Sequence, residues 1–328
     1  MSNVQSLRAC CVTCFLLLAV PKIEGQEIKD VPSPDASPAI FQNLPLEPVR
    51  RSHLEQAIRV RDFKNAESLL LEGVQRNPKS SQLLALLGGV FFQDRQYLNA
   101  AIAMKKAEAI NPLDDGSRFT LAMAYIILNH RDWARPELEK LSQSNPSNAL
   151  YPYWLSRLDY DAHQYQAAID RLETVLKLDA SFVRAYDNLG LSYEALGKYD
   201  KAVRNYLEAI RLNRLKNLKS PWPSLNLGTL LLKQGKLNEA EPHLKEALEY
   251  DPRLAKAHYQ SGLLLEKQRK DDEAIRQFVE AASLDPAYAE PHYALGRIYQ
   301  RKGDAQRAEI ALDTFQKLKK DKREERPH

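Results

Sequence analysis

Alanine recurs at Ala66, Ala100, Ala134, Ala168, Ala202, Ala240, Ala274 and Ala308, in steps of 34 residues broken once by a step of 38 between Ala202 and Ala240. A fixed period of this length means that one supersecondary unit is stacked many times, because a single unit cannot bury its apolar face alone. Placing these alanines at position 20 divides the chain into repeats 47–80, 81–114, 115–148, 149–182, 183–216, 221–254, 255–288 and 289–322.

Four residues after each alanine stands a large side chain: Leu70, Met104, Leu138, Leu172, Tyr206, Leu244, Phe278 and Leu312. Twelve residues before it stands a small one in seven repeats: Gly88, Ala122, Ser156, Gly190, Gly228, Gly262 and Gly296. Spacings of three, four and seven mark amphipathic helices and not strands. The small residues let two antiparallel helices approach closely, and a larger side chain would hold them apart. Gly197, Gly235 and Gly303 supply the turn between the helices. Asp132, Asp200, Asn238 and Asp272 share position 18, read here as the N-cap of the second helix. Pro78, Pro112, Pro146, Pro252 and Pro286 close five repeats. Pro136 and Pro242, at position 22, are expected in the first turn of the second helix, where proline is tolerated.

Leu189-Gly190-x-x-Tyr193 with Ala202, Tyr206 and Ala209, and Leu295-Gly296-x-x-Tyr299 with Ala308, resemble the tetratricopeptide repeat family. The resemblance covers 47–322 and implies an all-α fold, a right-handed α-solenoid of about eight helix–turn–helix repeats. The first repeat has Leu54 where a small residue is expected, as suits an end cap. The fourth, with Ser156 and Asp159, departs furthest from the pattern.

Residues 1–25 differ in kind. Arg8 precedes an apolar run from Ala9 to Val20, and Ile23-x-Gly25 offers a cleavage point, the pattern of a secretory signal peptide. The run is too short to span a membrane, which takes ~20 residues. Cys10, Cys11 and Cys14 all lie in this segment, so the mature chain is expected to lack cysteine, disulfides and thiol chemistry. The expected location is secreted or periplasmic, and the absence of an Asn-x-Ser/Thr sequon leans towards a bacterial envelope. Residues 26–46, with Pro32, Pro34, Pro38 and Pro45, read as an extended linker, and 323–328 as a charged tail. A net charge of +4, mixed in sign, makes no case for nucleic acid.

No phosphate-binding glycine loop, HExxH pair or GxSxG elbow is present, so neither an enzyme nor a cofactor is expected. His258 and His292 share position 4 of neighbouring repeats, but no further ligand stands in phase, and both read as packing residues.

The resemblance implies that positions 2, 5, 6, 9, 12 and 13 of the first helices line a concave groove. Those positions hold Phe119 and Met123, then Tyr153, Trp154, Arg157 and Tyr160. Arg184, Asp187, Asn188, Trp222, Asn226, Lys256, Tyr259, Gln260, Tyr293 and Arg297 follow. Asn188 and Asn226, both at position 6, could form a ladder that holds a peptide backbone; asparagine that is merely frequent there is the competing reading. Tyr153, Trp154 and Tyr160 beside Phe119, with Arg157 nearby, read as an exposed aromatic hot spot, against gap-filling in an irregular repeat. The family's carboxylate clamp fails: Asp187, Leu191 and Gln260 stand where it needs other residues. The four added residues around Asn217–Ser220, before Trp222, read as a longer loop at which curvature can change.

The sequence therefore points to an exported scaffold that binds a protein or an extended peptide. The alternative is a carbohydrate-binding or polysaccharide-export accessory protein, in which Tyr153, Trp154 and Trp222 stack on sugars.

Overall fold

The computed structural model describes residue 41 and residues 43–324. The signal-peptide segment and most of the linker lie outside the described residues. Every element among the described residues is helical. The described residues form two compact units, divided between Leu158 and Asp159.

In the first unit the helix pairs are α1 (Pro48–Arg59) and α2 (Phe63–Arg76), α3 (Ser81–Gln93) and α4 (Tyr97–Glu108), and α5 (Asp115–Ile127) and α6 (Arg131–Ser144). Helix α7 (Leu150–Asp161) crosses the boundary between the units. The second unit continues with α8 (Tyr165–Leu178), then α9 (Val183–Ala195) and α10 (Tyr199–Leu215), and α11 (Trp222–Lys233) and α12 (Leu237–Tyr250). Helices α13 (Ala255–Lys267), α14 (Asp271–Leu284), α15 (Ala289–Lys302) and α16 (Ala305–Glu324) complete it. Helices adjacent in sequence lie against each other from α1 to α6 and from α8 to α16, and α3 also meets α5, α9 meets α11, and α11 meets α13. The first helices α9, α11 and α13 therefore adjoin in a row in the second unit.

The alanine beat is the core. All eight position-20 alanines are buried, and the position-24 side chains from Leu70 to Phe278 are buried beside them. Close approach is enforced by the position-8 glycines. A Cβ on Gly262 would lie 2.5 Å from Phe278, and one on Gly228 2.8 Å from Leu244. A Cβ on Gly190 would collide with the Tyr206 ring. What meets each glycine is the position-24 side chain sixteen residues on in sequence.

The turn within each repeat is the same motif eight times. The position-15 residue is left-handed at Arg61, Arg95, Asn129, His163, Gly197, Gly235, Arg269 and Gly303. The N–H of position 16 donates back to the carbonyl of position 11, as from Gln96 to Phe91 and from Lys236 to Leu231. This is the Schellman ending, which satisfies the last carbonyls of the first helix. It moves the cap: the second helix has its N-cap at position 16, where Asp62 accepts from the Asn65 N–H. Asp132, Asp200, Asn238 and Asp272 are thus not caps but first-turn residues, where the acids favour the positive end of the helix dipole. Pro136 and Pro242 are each the sixth residue of their helices, one turn later than the sequence suggests.

Three further departures have physical causes. Residues 43–46, assigned above to the linker, belong to the fold: Leu44 is buried, Leu46 closes over Gly73, and Asn77 Nδ2 donates to the Pro45 carbonyl at 3.0 Å. The four added residues are shared between helix and link: α10 runs on to Leu215, and residues 216–221 that follow are not helical. Helix α10 has 17 residues where α12 has 14. The link that follows is bracketed by the buried Asn213, which donates to the Ser220 carbonyl at 2.9 Å and accepts from its N–H at 3.1 Å. The boundary between units falls instead in the irregular fourth repeat. There Asp159 replaces an apolar residue, is buried, and accepts from Arg171 Nε at 2.6 Å.

Candidate functional site

Of the aromatic hot spot expected in the fourth repeat, Tyr160 is partly exposed and the other three rings are buried. Phe119, Tyr153 and Trp154 are only 2%, 0% and 2% exposed. The Phe119 ring meets Tyr151 at 5.8 Å, and Tyr153 meets Trp154 edge-on at 5.7 Å. The register places a residue on a face of a helix; it does not prevent a large ring from folding down into the seam between helices. Their burial removes Tyr153 and Trp154 as platforms for sugar rings. Arg157 is partly buried in the same helix.

The polar residues named in the second unit lie on the first helices α9, α11, α13 and α15. Asp187 and Asn188 are buried on α9, and Asn226 is partly buried on α11. Asn226 Nδ2 donates to Asp187 Oδ1 at 3.0 Å, so neighbouring repeats are tied by a hydrogen bond and not by two parallel asparagine side chains. Arg184 stacks over Phe182, 5.3 Å from the ring centroid. Lys256 and Gln260 are partly buried on α13. Trp222 packs on the apolar core beneath α11, beside the bracketed link. At the far end of the unit, Tyr293 is exposed and carries Arg297 over its ring at 5.4 Å.

Beside this polar row is a pocket of about 470 Å³, walled by Tyr160, Tyr199, Leu191 and Leu230. Glu194 and Lys233 also line it. Lys233 Nζ lies 2.8 Å from Glu194 Oε1, and the buried Tyr206 hydroxyl donates to Glu194 Oε2 at 3.0 Å. Tyr206 titrates well above the usual phenol range, first because it is buried and then because the charges of Glu194 and Asp187 oppose its ionisation. Leu191, Glu194 and Lys233 stand at positions 9, 12 and 13, within the inner register, yet were not singled out by sequence. The signal that would have found them is an acid and a base 39 residues apart, one repeat plus the insertion and one residue.

His258 is engaged by packing partners, with Nδ1 2.7 Å from Gln277 Oε1 in its own repeat and Nε2 2.9 Å from the Pro252 carbonyl at the end of the preceding one. Burial holds His292 below the usual imidazole range. No group of three potential ligand residues suited to a metal ion occurs among the described residues, nor a helix long and apolar enough to cross a membrane.

Paired helices, small-residue contacts and a polar inner face define a helical-repeat scaffold. Three models of the tetratricopeptide repeat match residues 181–253, residues 55–115 and 225–289, and residues 289–322, together more than half of the chain. The chain belongs to the tetratricopeptide repeat family. It is 34% identical over 126 residues to the TPR repeat-containing protein YpiA of Bacillus subtilis (strain 168), an alignment covering 38% of this chain and 28% of that protein. The chain thus spans less than a third of that relative's length. Among solved structures, a tetratricopeptide repeat protein from Parabacteroides merdae matches with a TM-score of 0.63 at 16% identity, covering 84% of this chain and 99% of that one. Yeast Tom70 matches with a TM-score of 0.61 at 18% identity, covering 88% and 63%. These likenesses establish the fold, one typical of protein and peptide binding.

Proposed function

We propose that the protein is a non-catalytic scaffold that captures an extended segment of a partner protein along the inner face of α9, α11 and α13. The observation that carries this reading is the partly buried Asn226, Lys256 and Gln260, with the buried Asp187 and Asn188 beneath them. They form a polar seam, tied across two repeats at 3.0 Å and set beside a pocket, on the face where first helices adjoin. Polar groups already held in place cost less to order when a ligand binds. The exported location is part of the same proposal and rests on the pattern of residues 1–25.

A 12-residue peptide selected by panning on the full chain provides the test, with affinity read by fluorescence anisotropy. Asn226→Ala combined with Gln260→Ala, shown by circular dichroism to remain helical, weakens binding by about tenfold or more if these residues act as hot spots. Unchanged affinity in that folded double variant would contradict the reading. Amino-terminal sequencing of the protein recovered from an envelope fraction tests the export: a start near residue 26 supports it, and an intact Met1 opposes it.

A further inference from the structure

We infer that the pocket between the ends of α9 and α11 receives a basic side chain, an arginine, from the bound segment. The inference rests on the peptide-binding reading and names the chemistry that one part of the groove selects.

The pocket has the size and shape for a long side chain. Its volume of about 470 Å³ is walled by the Tyr160 and Tyr199 rings and by the apolar surfaces of Leu191 and Leu230. An arginine stem suits such walls, and a planar guanidinium stacks on tyrosine faces. The polar group inside is Glu194, whose side chain is only 18% exposed. An ionised carboxylate offers roughly four acceptor positions. Two are used here, by the Tyr206 hydroxyl and by Lys233 Nζ. Room remains for a forked guanidinium, whose charge-assisted bonds are the strong kind.

Lys233 is the competitor already present, and it is weakly held. Its side chain is 65% exposed, so releasing it to water gives up an interaction worth about 0–1 kcal/mol. Two carboxylates, Glu194 and Asp187, also lie close enough to the buried Tyr206 hydroxyl to oppose its ionisation. Other occupants fit less well. An acidic side chain would meet Glu194. A neutral aromatic one would cover the Glu194–Lys233 pair and take ions out of water without returning a hydrogen bond.

The test titrates the full chain with three capped amino acids: N-acetyl-arginine amide, N-acetyl-phenylalanine amide and N-acetyl-glutamate amide. Binding is read from the NMR signals of the Leu191 and Leu230 methyls and the Tyr160 and Tyr199 rings. The arginine probe is expected to give saturable shifts, tightened about two- to fivefold by Lys233→Met, which removes the competing cation. Glu194→Gln, which keeps an acceptor for Tyr206, is expected to weaken it by about tenfold or more. The inference is overturned if the phenylalanine probe binds more tightly, if Lys233→Met weakens the arginine probe, or if the arginine probe gives no saturable shift. A panned peptide that still binds the seam under any of those results leaves the peptide-binding reading standing and removes only the arginine assignment.

Discussion

Asn226 Nδ2 donates to Asp187 Oδ1 at 3.0 Å, joining the first helix of the sixth repeat to that of the fifth. The bond makes the inner face of the second unit a structural seam as well as a candidate binding surface, since Asp187 is only 3% exposed. Removing its donor leaves a buried carboxylate with fewer partners. Asn226→Ala is therefore expected to destabilise the unit by about 1–3 kcal/mol. Urea denaturation measures this, and a loss within error of zero would show that the bond does not hold the joint.

The glycines at position 8 and position 15 answer to different constraints, and substitution separates them. Gly190→Ala drives a methyl into the buried Tyr206 ring and is expected to cost about 1–3 kcal/mol. Gly197→Ala meets nothing within 4 Å and has only its φ of +69° to overcome. That strain is worth about 1 kcal/mol. Repeat arrays need not unfold in one step, so amide hydrogen exchange in α9 and α10 is the better measure. Protection should fall further for Gly190→Ala.

Arginine holds the left-handed position in three turns, at Arg61, Arg95 and Arg269, with φ between 59° and 63°. Glycine fills the equivalent place at Gly197, Gly235 and Gly303 without that strain. Arg95→Gly and Arg269→Gly are each expected to stabilise the fold by roughly 0.5–1 kcal/mol, the relief of strain exceeding the added freedom of the unfolded chain. A rise in melting temperature for both variants is the expected outcome.

Acid should weaken the second unit in two stages. Burial holds His243 below the usual imidazole range, with the Glu246 charge opposing that shift and Arg214 reinforcing it. Its Nδ1 is buried and has no hydrogen-bond partner among the described residues. A histidine kept neutral in the fold contributes stability that is complete above an unfolded value of about 6.5 and fades as the pH falls below it. Glu246 follows lower down. Burial raises its pKa, but bonds from Arg214, Ser224 and Tyr250 outweigh that and hold it below the usual carboxylate range. Its contribution is complete above about pH 4.3 and is lost as the pH falls through the lower folded value. Melting temperature measured from pH 7 to pH 3 should decline in both intervals. His243→Gln should flatten the upper one, and Glu246→Gln the lower.

The repeat frame was legible in the sequence because it depends on side-chain size at fixed spacing. Ala202 and Ala240 bracket the one irregular step, and both are buried as the beat requires. Less legible was whatever depends on backbone continuation or on contacts between repeats. Arg95 and His163 give no sign of a left-handed φ, because the helix ending imposes it on whatever residue stands there. Four added residues read as a loop, yet part of the added length goes into α10, which has 17 residues where α12 has 14. Register assigns Trp154 an inner position, but burial depends on where its ring folds, and it is only 2% exposed. The Glu194–Lys233 pair joins residues 39 apart, a separation that becomes meaningful only when α9 and α11 lie side by side.

Capture of a peptide from the inner face tests the account most directly. The full chain carrying p-benzoylphenylalanine in place of Gln260, on α13, is illuminated with the panned peptide and compared with the same chain carrying it in place of Lys245, exposed on the second helix α12. The account predicts covalent capture from position 260 and none from position 245. Capture from position 245 alone would contradict it.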